Sequence, residues 1–390
     1  MHIGVDATCW LLPRGFGRHT RCLLTALRAV DTANGYTFFT DSPRATAEVA
    51  AIARVHPVRI SASTQAGAAA RSRRTFRDLI AMSRAMSEPS IDVLLFPTVY
   101  SYVPVVSRAR KVMLFHDVTA ERFPHLTLDG WRSRVFWNAK IALARRQADV
   151  MVTVSEYSRQ ALAQQFGIDI GRLHVVGEAS DPVFRRLDHP QLTRHVLSMG
   201  LTGERRAVVY VGGFSPHKNL PGLVDAFGRL VKDTHFDDVD LVLVGDYEHE
   251  TFFTCYQEVR ARVERMGLDR RVVFTGFLAD EDLVALLNLA TVLVLPSMTE
   301  GFGLPAIEAA ACGCPVIATS ESPLPELLGE GGVFIDPNQL ADLDRALRLV
   351  LTSPGRQADM RQAGLAAASR LTWTAAAREL VRLMERAVAQ

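Results

Sequence analysis

Short apolar runs alternate with helical patterns along almost the whole sequence, and this alternation restricts the possible folds more than any other feature. Strands separated by helices predict parallel sheets with helices on both faces. The runs form two series, so we expect an α/β protein with two doubly wound domains that face each other across a cleft. The first series comprises His2–Asp6, Tyr36–Thr40, Val58–Ile60, Ile91–Phe96, Lys111–Phe115 and Val150–Val154, and the second comprises Ala207–Val211, Leu241–Val244, Val272–Phe274, Thr291–Leu295, Pro315–Ala318 and Gly332–Ile335.

The two predicted domains meet where proline interrupts the pattern. Asp181-Pro182 and His189-Pro190 lie between residues 180 and 201 and break the alternation. We therefore place the first domain at residues 1–185 and the second at residues 195–372. A chain of 390 residues is long enough for two hydrophobic cores.

The charge of the sequence excludes some classes of protein. Net charge is only +2, which argues against a dedicated nucleic-acid binder. Residues 1–186 contain 25 Lys and Arg against 15 Asp and Glu, whereas the remainder contains 19 against 27, so the first half suits an anionic partner. The cysteines are odd in number and fit no zinc or disulfide framework. We expect no metal and no cofactor.

The sequence predicts a cytoplasmic protein that can touch a membrane without crossing it. No apolar run approaches the roughly 18 residues that a membrane span needs, and the chain starts with a strand-like run, where a secreted protein would have a signal peptide. The stretch Arg71–Arg77 mixes basic residues with the apolar Phe76 and opens a helical pattern that continues to Met86. Such a helix can lie on the anionic inner face of a membrane, or it can pack its apolar side inward.

The segment Glu300–Glu308 carries the strongest functional signal. It reads Glu-Gly-Phe-Gly-Leu-Pro-Ala-Ile-Glu, follows the apolar run that ends at Leu295, and opens a short helix that ends near Gly313. Pro305 suits the first turn of that helix, because an amide there would lack an intrahelical partner. Because ligands of parallel sheets bind at the carboxyl ends of strands, this position is where a site is expected.

The residue types within this segment indicate the kind of ligand. Gly301 and Gly303 remove side chains where the backbone must approach a ligand closely. The free amides near Phe302, Gly303 and Leu304 would attract an anion such as a phosphate. The flanking carboxylates can accept hydrogen bonds from sugar hydroxyls. Together they predict a site for a sugar nucleotide.

Three further segments follow predicted strands and hold candidate residues. Val211–Asn219 contains Gly213 and Lys218, and its lysine can reach a phosphate. His116 and its neighbour Asp117 end a strand of the first domain, where a histidine is either catalytic or structural. Gly15 and Gly17 lie between the first strand and a helix, and they form either an anion-binding loop or a tight turn.

With these residues in view, the chain resembles the retaining glycosyltransferases of family 4, which have the GT-B fold of two Rossmann-like domains. The resemblance covers nearly the whole length, and its most specific element is the glutamate pair with Gly-Phe-Gly-Leu-Pro between. It implies an acceptor-binding first domain, a donor-binding second domain, and a terminal helix, residues 373–390, that packs back on the first domain.

The resemblance also implies roles for individual residues of the second domain. Glu300 would contact the donor hexose and Glu308 the ribose, while Lys218 would bind a phosphate. The resemblance places further donor contacts at Gly301, Phe302, Gly303 and Leu304 for the phosphates and sugar, and at Gly276, Phe277 and Leu278 for the nucleobase.

In the first domain, the resemblance assigns His116 to the transferred sugar and Gly15 and Gly17 to the glycine loop. One position departs from the family, because Gly213 stands where an arginine is common. A phosphate-neutralising cation is then missing, or a residue such as Arg14 or Arg18 supplies it.

The resemblance implies a hexosyltransferase in glycan, glycolipid or natural-product biosynthesis. The glycine loop and the His-Asp segment look most like those of bacterial mannosyltransferases, so mannose from GDP-mannose is the preferred donor and glucose from UDP-glucose is an alternative. The acceptor would be a glycan, a lipid-linked molecule or a small molecule. An epimerase or hydrolase of sugar nucleotides, and a non-catalytic binder of them, are the remaining hypotheses.

Overall fold

The computed structural model describes residues 1–12, 15–61, 63, 75–188, 194–198, 200–201, 204–247 and 253–389. The chain divides into a first unit, Met1–Glu178 with Thr372–Gln390, and a second unit, Ala179–Leu371. Each unit is a parallel sheet with helices, so the predicted α/β architecture is confirmed. The first unit ends at Glu178, against a predicted boundary at residue 185.

The first unit is built on a seven-stranded parallel sheet. Its strands are β1 (His2–Asp6), β2 (Gly35–Thr40), β3 (Arg54–Pro57), β4 (Val93–Phe96), β5 (Arg110–Leu114), β6 (Val150–Thr153) and β7 (Leu173–Val175), in the order β3-β2-β1-β4-β5-β6-β7. Its helices within this part of the chain are α1 (Gly15–Val30), α2 (Pro43–Val49), α3 (Phe76–Met86), α4 (Thr119–Arg122), α5 (Pro124–Thr127), α6 (Gly130–Gln147) and α7 (Glu156–Phe166).

The second unit is built on a six-stranded parallel sheet. Its strands are β8 (Arg206–Val211), β9 (Val239–Val244), β10 (Val272–Gly276), β11 (Val292–Leu295), β12 (Val316–Thr319) and β13 (Gly332–Ile335), in the order β10-β9-β8-β11-β12-β13. Its helices are α8 (Arg194–Ser198), α9 (Leu220–Leu230), α10 (Tyr256–Arg265), α11 (Asp280–Leu289), α12 (Leu304–Ala311), α13 (Leu324–Leu328), α14 (Leu340–Thr352) and α15 (Pro354–Arg370).

Both sheets reverse their strand order at the centre. In the first unit Ile3 of β1 pairs with Tyr36 of β2 on one side and with Val93 of β4 on the other. In the second unit β8 lies between β9 and β11. At such a reversal the loops that leave adjacent strands diverge and open a crevice for ligands. The loops after β1 and β4, and after β8 and β11, are therefore where each unit can build a site.

Two strands at the edges of the first sheet differ from the prediction. β3 occupies Arg54–Pro57, so the predicted strand at Val58–Ile60 is wrong. The apolar pattern pointed to Val58 and Ile60, but an edge strand such as Arg54–Pro57 can carry polar residues because only one side is paired. β7 was not predicted, because three residues with His174 at their centre give too little alternation.

The terminal helix α16 (Trp373–Ala389) belongs to the first unit and packs against α1. It buries a stripe that includes Trp373, Leu380 and Met384, with the spacing of one helical face. The rings of Trp373 and His19 of α1 lie 5.6 Å apart in an edge-on contact. The terminal helix therefore packs back on the first domain, as expected, through a buried contact with α1.

Within the described ranges, every helix is too short or too polar to span a bilayer. The basic residues Arg71, Arg73 and Arg74 lie outside the described residues. From Phe76 onward α3 buries Asp78, Met82 and Met86. Part of the apolar side of this helix is therefore packed inward, although Phe76 and Ile80 are exposed.

Candidate functional site

The loops after the two central strands of the second unit bring Lys218 and Glu300 together. Lys218 ends a 3-10 turn, Pro216–Lys218, after β8, and Glu300 follows β11. Nζ of Lys218 lies 2.7 Å from Oε1 of Glu300. The hydroxyl of Ser297 donates to the same carboxylate oxygen at 2.5 Å. The lysine side chain is 21 % exposed and the glutamate side chain 11 %, so a cation and a carboxylate are held at the rim of the sheet.

Backbone hydrogen bonds fix these two loops. The amide of Met298 donates to the carbonyl of His217 at 2.8 Å and ties one loop to the other. The amide of Glu300 and the hydroxyl of Thr299 both donate to the carbonyl of Glu321, each at 3.0 Å. The ion pair therefore stands on loops that backbone hydrogen bonds tie to each other and to the segment around Glu321.

Helix α12 begins directly beside this pair. Its capping residue Gly303 has φ 87°, and a Cβ there would lie 2.8 Å from the side chain of Leu324. The amides of Ala306 and Ile307 donate to the carbonyl of Gly303, so the helix's own hydrogen bonds start at these residues. The amides of Phe302, Gly303 and Leu304 precede them and remain at the positive end of the helix.

The rest of the predicted motif is distributed around α12. Glu308 lies on this helix and is 4 % exposed, and Phe302 and Leu304 are also buried. Gly301 lies between Glu300 and Phe302 in the loop that leads into the helix. The structure therefore brings Lys218, Glu300 and the start of α12 together in one site, with Glu308 one helical turn further on.

We expect Gly303→Ala to weaken both the fold and the site. An alanine at φ 87° is strained, and its Cβ would push against Leu324. The expected loss in the free energy of unfolding is about 1–3 kcal/mol, measured by urea denaturation. Gly355→Ala is the matched control, because no atom lies within 4 Å of a Cβ at that position. Equal stability of the two variants would contradict the assigned constraint.

The predicted nucleobase segment lies at the end of β10. Gly276 has φ 70° and its carbonyl accepts from the amide of Gly245 at 3.0 Å. The side chain of Phe277 is 60 % exposed, whereas Leu278 is 3 % exposed and belongs to the core. Gly213 follows β8, and its carbonyl accepts from the hydroxyl of Tyr210 at 2.7 Å. The nucleobase role of this segment stays a prediction.

His116 of the first unit lies in a buried cluster with His19 and Glu178. Nδ1 of His19 is 2.7 Å and Nε2 of His116 is 3.8 Å from Oε1 of Glu178. The two imidazole rings meet edge-on at 4.5 Å. The three residues come from α1, from the loop after β5 and from the loop after β7. His19 is fully buried and Glu178 is 4 % exposed, while the side chain of His116 is 11 % exposed.

Burial controls the protonation of this cluster. It lowers the pKa of His19 to about 3. It lowers the pKa of His116 to about 3 as well, with a further decrease from His19 and an opposing effect of Glu178. It raises the pKa of Glu178 to about 7; the charge of Asp117 raises this pKa further, whereas His116 lowers it. Both imidazoles are therefore neutral near pH 7. The ligand atoms of the three side chains lie within 4.8 Å of one another, so this donor set could also hold a cation.

Sequence reasoning identified His116 and missed its two partners. His19 stands in an apolar helical pattern, where a histidine is usually a core residue. Glu178 follows Val175-Val176-Gly177, and an acid directly after a strand-like run was the available signal. It was overlooked because β7 itself was not predicted.

The predicted glycine loop has a different form from the one expected. Helix α1 begins at Gly15, so Gly15 and Gly17 lie in its first turn. A Cβ at Gly17 would lie 1.9 Å from the carbonyl oxygen of Leu12, so this glycine permits a close backbone contact. Gly15 has open space around it. Arg14 lies outside the described residues, and Arg18 is half-buried on α1.

Comparison with known proteins assigns the chain to a family. Residues 13–182 match the model for Glycosyltransferase Family 4, and residues 198–366 match the model for Glycosyl transferases group 1. Each match falls on one parallel-sheet unit. The chain is similar over its full length to sucrose-phosphate synthase (tll1590) from Thermosynechococcus elongatus, with a TM-score of 0.77 and 18 % identity over 100 % of this chain and 99 % of that chain.

Two curated relatives carry mannosyltransferase names. The chain is 29 % identical to the O-antigen chain mannosyltransferase B of Escherichia coli over 68 % of this chain and 67 % of that protein. It is 27 % identical to the serotype-specific mannosyltransferase WbdA of Escherichia coli over 62 % of this chain. The matched region spans only 29 % of the length of WbdA.

Two parallel α/β units that each match a glycosyltransferase model define a glycosyltransferase with the GT-B fold. The chain belongs to glycosyltransferase family 4, as the resemblance predicted.

Proposed function

We propose that the protein is a retaining, metal-independent hexosyltransferase that transfers mannose from GDP-mannose to an acceptor hydroxyl. The observation that carries the proposal is the Lys218–Glu300 pair beside the start of α12. It combines a cation, a hydroxyl-binding carboxylate and free amides at the carboxyl edge of one sheet. A diphosphate joined to a sugar requires these three kinds of contact.

Donor binding would redistribute the contacts of this pair. Nζ of Lys218 carries further donor capacity and would turn towards the diphosphate. Glu300 would then accept hydrogen bonds from hexose hydroxyls, and Glu308 from the ribose. The amides of Phe302, Gly303 and Leu304 would bind phosphate and sugar oxygens. Lys218 and these amides would stabilise the negative charge that develops on the leaving diphosphate, which in our proposal replaces a metal ion.

In this mechanism His116 orients the sugar or the acceptor. Its neutral imidazole can accept or donate one hydrogen bond without adding a charge. A double displacement would require a carboxylate placed to attack the anomeric carbon. The motif glutamates are assigned to donor hydroxyls, so we favour attack on the face that the diphosphate leaves, with the phosphate assisting deprotonation of the acceptor.

The names of the Escherichia coli relatives support mannose as the sugar and a glycan as the acceptor. A lipid-linked or small-molecule acceptor fits the same site. These relatives overlap only partly with this chain, and a sucrose-phosphate synthase is among the structural relatives. The base and the sugar of the donor therefore have to be measured directly.

A ligand panel tests the donor. We expect GDP and GDP-mannose to raise the melting temperature more than UDP and UDP-glucose do. A ligand at 100 times its dissociation constant stabilises the folded state by about 2.7 kcal/mol. A larger shift with UDP compounds would assign the alternative donor, and the absence of a shift with every nucleoside diphosphate would contradict the donor site. Release of free sugar or of an epimer in the absence of acceptor would instead support a hydrolase or an epimerase.

A further inference from the structure

Helix α6 of the first unit carries large apolar side chains on its outer surface. Trp131 is 68 % exposed, Val135 59 % and Phe136 66 %. With about 100° between successive residues, the exposed positions from Trp131 onward cover one continuous face about 160° wide. That face consists of Trp131, Arg132, Val135, Phe136, Asn138, Ala139, Ala142, Leu143 and Arg146. The opposite side of α6 packs into the core through Ile141 and Ala144.

The charge of this helix is entirely positive. Its 18 residues include five arginines and lysines and neither aspartate nor glutamate. Lys140 donates to the carbonyl of Tyr100, and Arg145 donates to the carbonyl of Phe166, so both side chains are held by contacts within the first unit. Arg132 and Arg146 lie within the exposed apolar face. The guanidinium of Arg132 lies 5.4 Å from the centre of the Trp131 ring.

Single exposed apolar residues are common on protein surfaces, but several of them together with arginines on one helix face are typical of a particular kind of binding surface. An amphipathic helix with aromatic residues and arginines on one face suits the boundary between lipid headgroups and acyl chains. Tryptophan is enriched at that depth, and arginine can reach the phosphates while its stem stays among apolar groups. A second copy of the chain fits less well, because a two-fold contact through this face would bring the arginines of one copy close to those of the other.

We propose that the exposed face of α6 docks on an anionic lipid bilayer and holds the enzyme at the membrane surface. This inference goes beyond the proposed function, because it depends on neither the donor nor the sugar. It replaces the Arg71–Met86 helix of the sequence prediction with a different helix of the same unit. An enzyme held in this way is placed to meet an acceptor that is itself embedded in the bilayer.

Vesicle co-sedimentation of the full chain tests the apolar face. The wild type should bind vesicles of phosphatidylglycerol and phosphatidylcholine more tightly than vesicles of phosphatidylcholine alone. The double variant Trp131→Ser with Phe136→Ser should lose at least about tenfold in affinity. Leu349→Ser, an exposed leucine of the second unit at 42 %, should bind like the wild type. A loss with Phe76→Ser but not with the α6 variant would overturn the assignment to α6.

Arginine variants test the charge. Arg132→Gln and Arg146→Gln should each weaken binding to anionic vesicles by about fivefold. Binding should also become less sensitive to salt. Arg356→Gln in α15, where the arginine is exposed, is the control. Unchanged binding in both α6 variants would overturn the role of charge complementarity.

Tryptophan fluorescence reports on the helix directly. Trp131 is highly exposed, whereas Trp10 and Trp373 are each 6 % exposed and buried in the first unit. The fourth tryptophan, Trp137, is half-buried on α6, and its indole N–H donates to Glu121. Anionic vesicles should shift the emission of the wild type to the blue, and Trp131→Phe should abolish the shift. If the Trp131→Ser with Phe136→Ser variant instead converts a dimer into a monomer and the wild type ignores vesicles, the face is a self-association surface and the proposal fails. GDP binding by the same variants separates this result from a failure of the donor site.

Discussion

Lys218→Ala should lower kcat/KM for sugar transfer by about 10²–10³, the loss typical of removing one preorganised group that stabilises charge in a transition state. Nζ of Lys218 lies 2.7 Å from Glu300 at the carboxyl edge of the second sheet. Gly213 supplies no second cation at the position where the resemblance to the family implies an arginine. Little else in the assigned site can replace the lost charge. Steady-state kinetics with the best donor of the ligand panel measure the effect.

Two further variants make this result specific. Lys232→Ala removes an exposed lysine of the same unit and should leave kcat/KM unchanged. The double variant of Lys218→Ala with Glu300→Ala should lose less than the sum of the two single changes, because each residue holds the other in place. Full additivity would show that the ion pair has no part in catalysis, and an unaffected Glu300→Ala would remove Glu300 from the site.

The stability of the protein should rise by about 2.5 kcal/mol between about pH 4.5 and pH 6.5 through the His19–His116–Glu178 cluster alone. In that range the folded cluster binds one proton, on Glu178, because the pKa of each histidine is about 3 and that of the glutamate about 7. In the middle of that range the same three side chains of the unfolded chain bind about two protons, because the pKa of each histidine returns to its ordinary value of 6.5 and that of the glutamate to 4.5. Unfolding thus takes up one proton, which is about 1.4 kcal/mol for each pH unit.

Glu178→Gln separates this cluster from the other titrating groups of the protein. The variant carries no proton on the folded cluster between pH 4.5 and pH 6.5, so unfolding takes up two protons and the slope contributed by the cluster doubles. Urea denaturation as a function of pH, with EDTA present to remove bound metal, measures the difference. Glu330→Gln changes an exposed glutamate and serves as the control. Parallel curves for Glu178→Gln and the wild type would refute the assigned protonation.

The central parts of the fold could be predicted from the sequence because buried parallel strands have continuous apolar runs. β8 to β13 were all found, and Gly332–Ile335 has the bounds that the pattern gave. The edge strands of the first sheet, β3 and β7, could not be predicted in the same way. β3 is paired on one side and carries Arg54 and His56, so its sequence lacks the apolar run that identifies a central strand.

The sequence predicted which residues lie in the site, but it did not predict the contacts between them. Gly303 and Pro305 predicted the start of a helix, because backbone geometry restricts which residues can occupy the first positions of a helix. Lys218 and Glu300 were both assigned to the donor, but their ion pair joins residues 82 positions apart and depends on the folding of two loops. His19 carries no local signal of its own, and the signal of Glu178 depends on recognising the short strand β7. Burial, which determines the protonation of both residues, is a property of the folded unit.

The packing of α16 on α1 has a consequence for synthesis. The ribosome produces α1 early, and the residues that cover it leave the tunnel only after the whole of Ala179–Leu371 has been made. During that interval the side of α1 that carries His19, whose ring meets that of Trp373, lacks its final cover. The second unit is continuous in sequence and can complete its fold first, so the first unit, whose synthesis begins before that of the second, is completed after it.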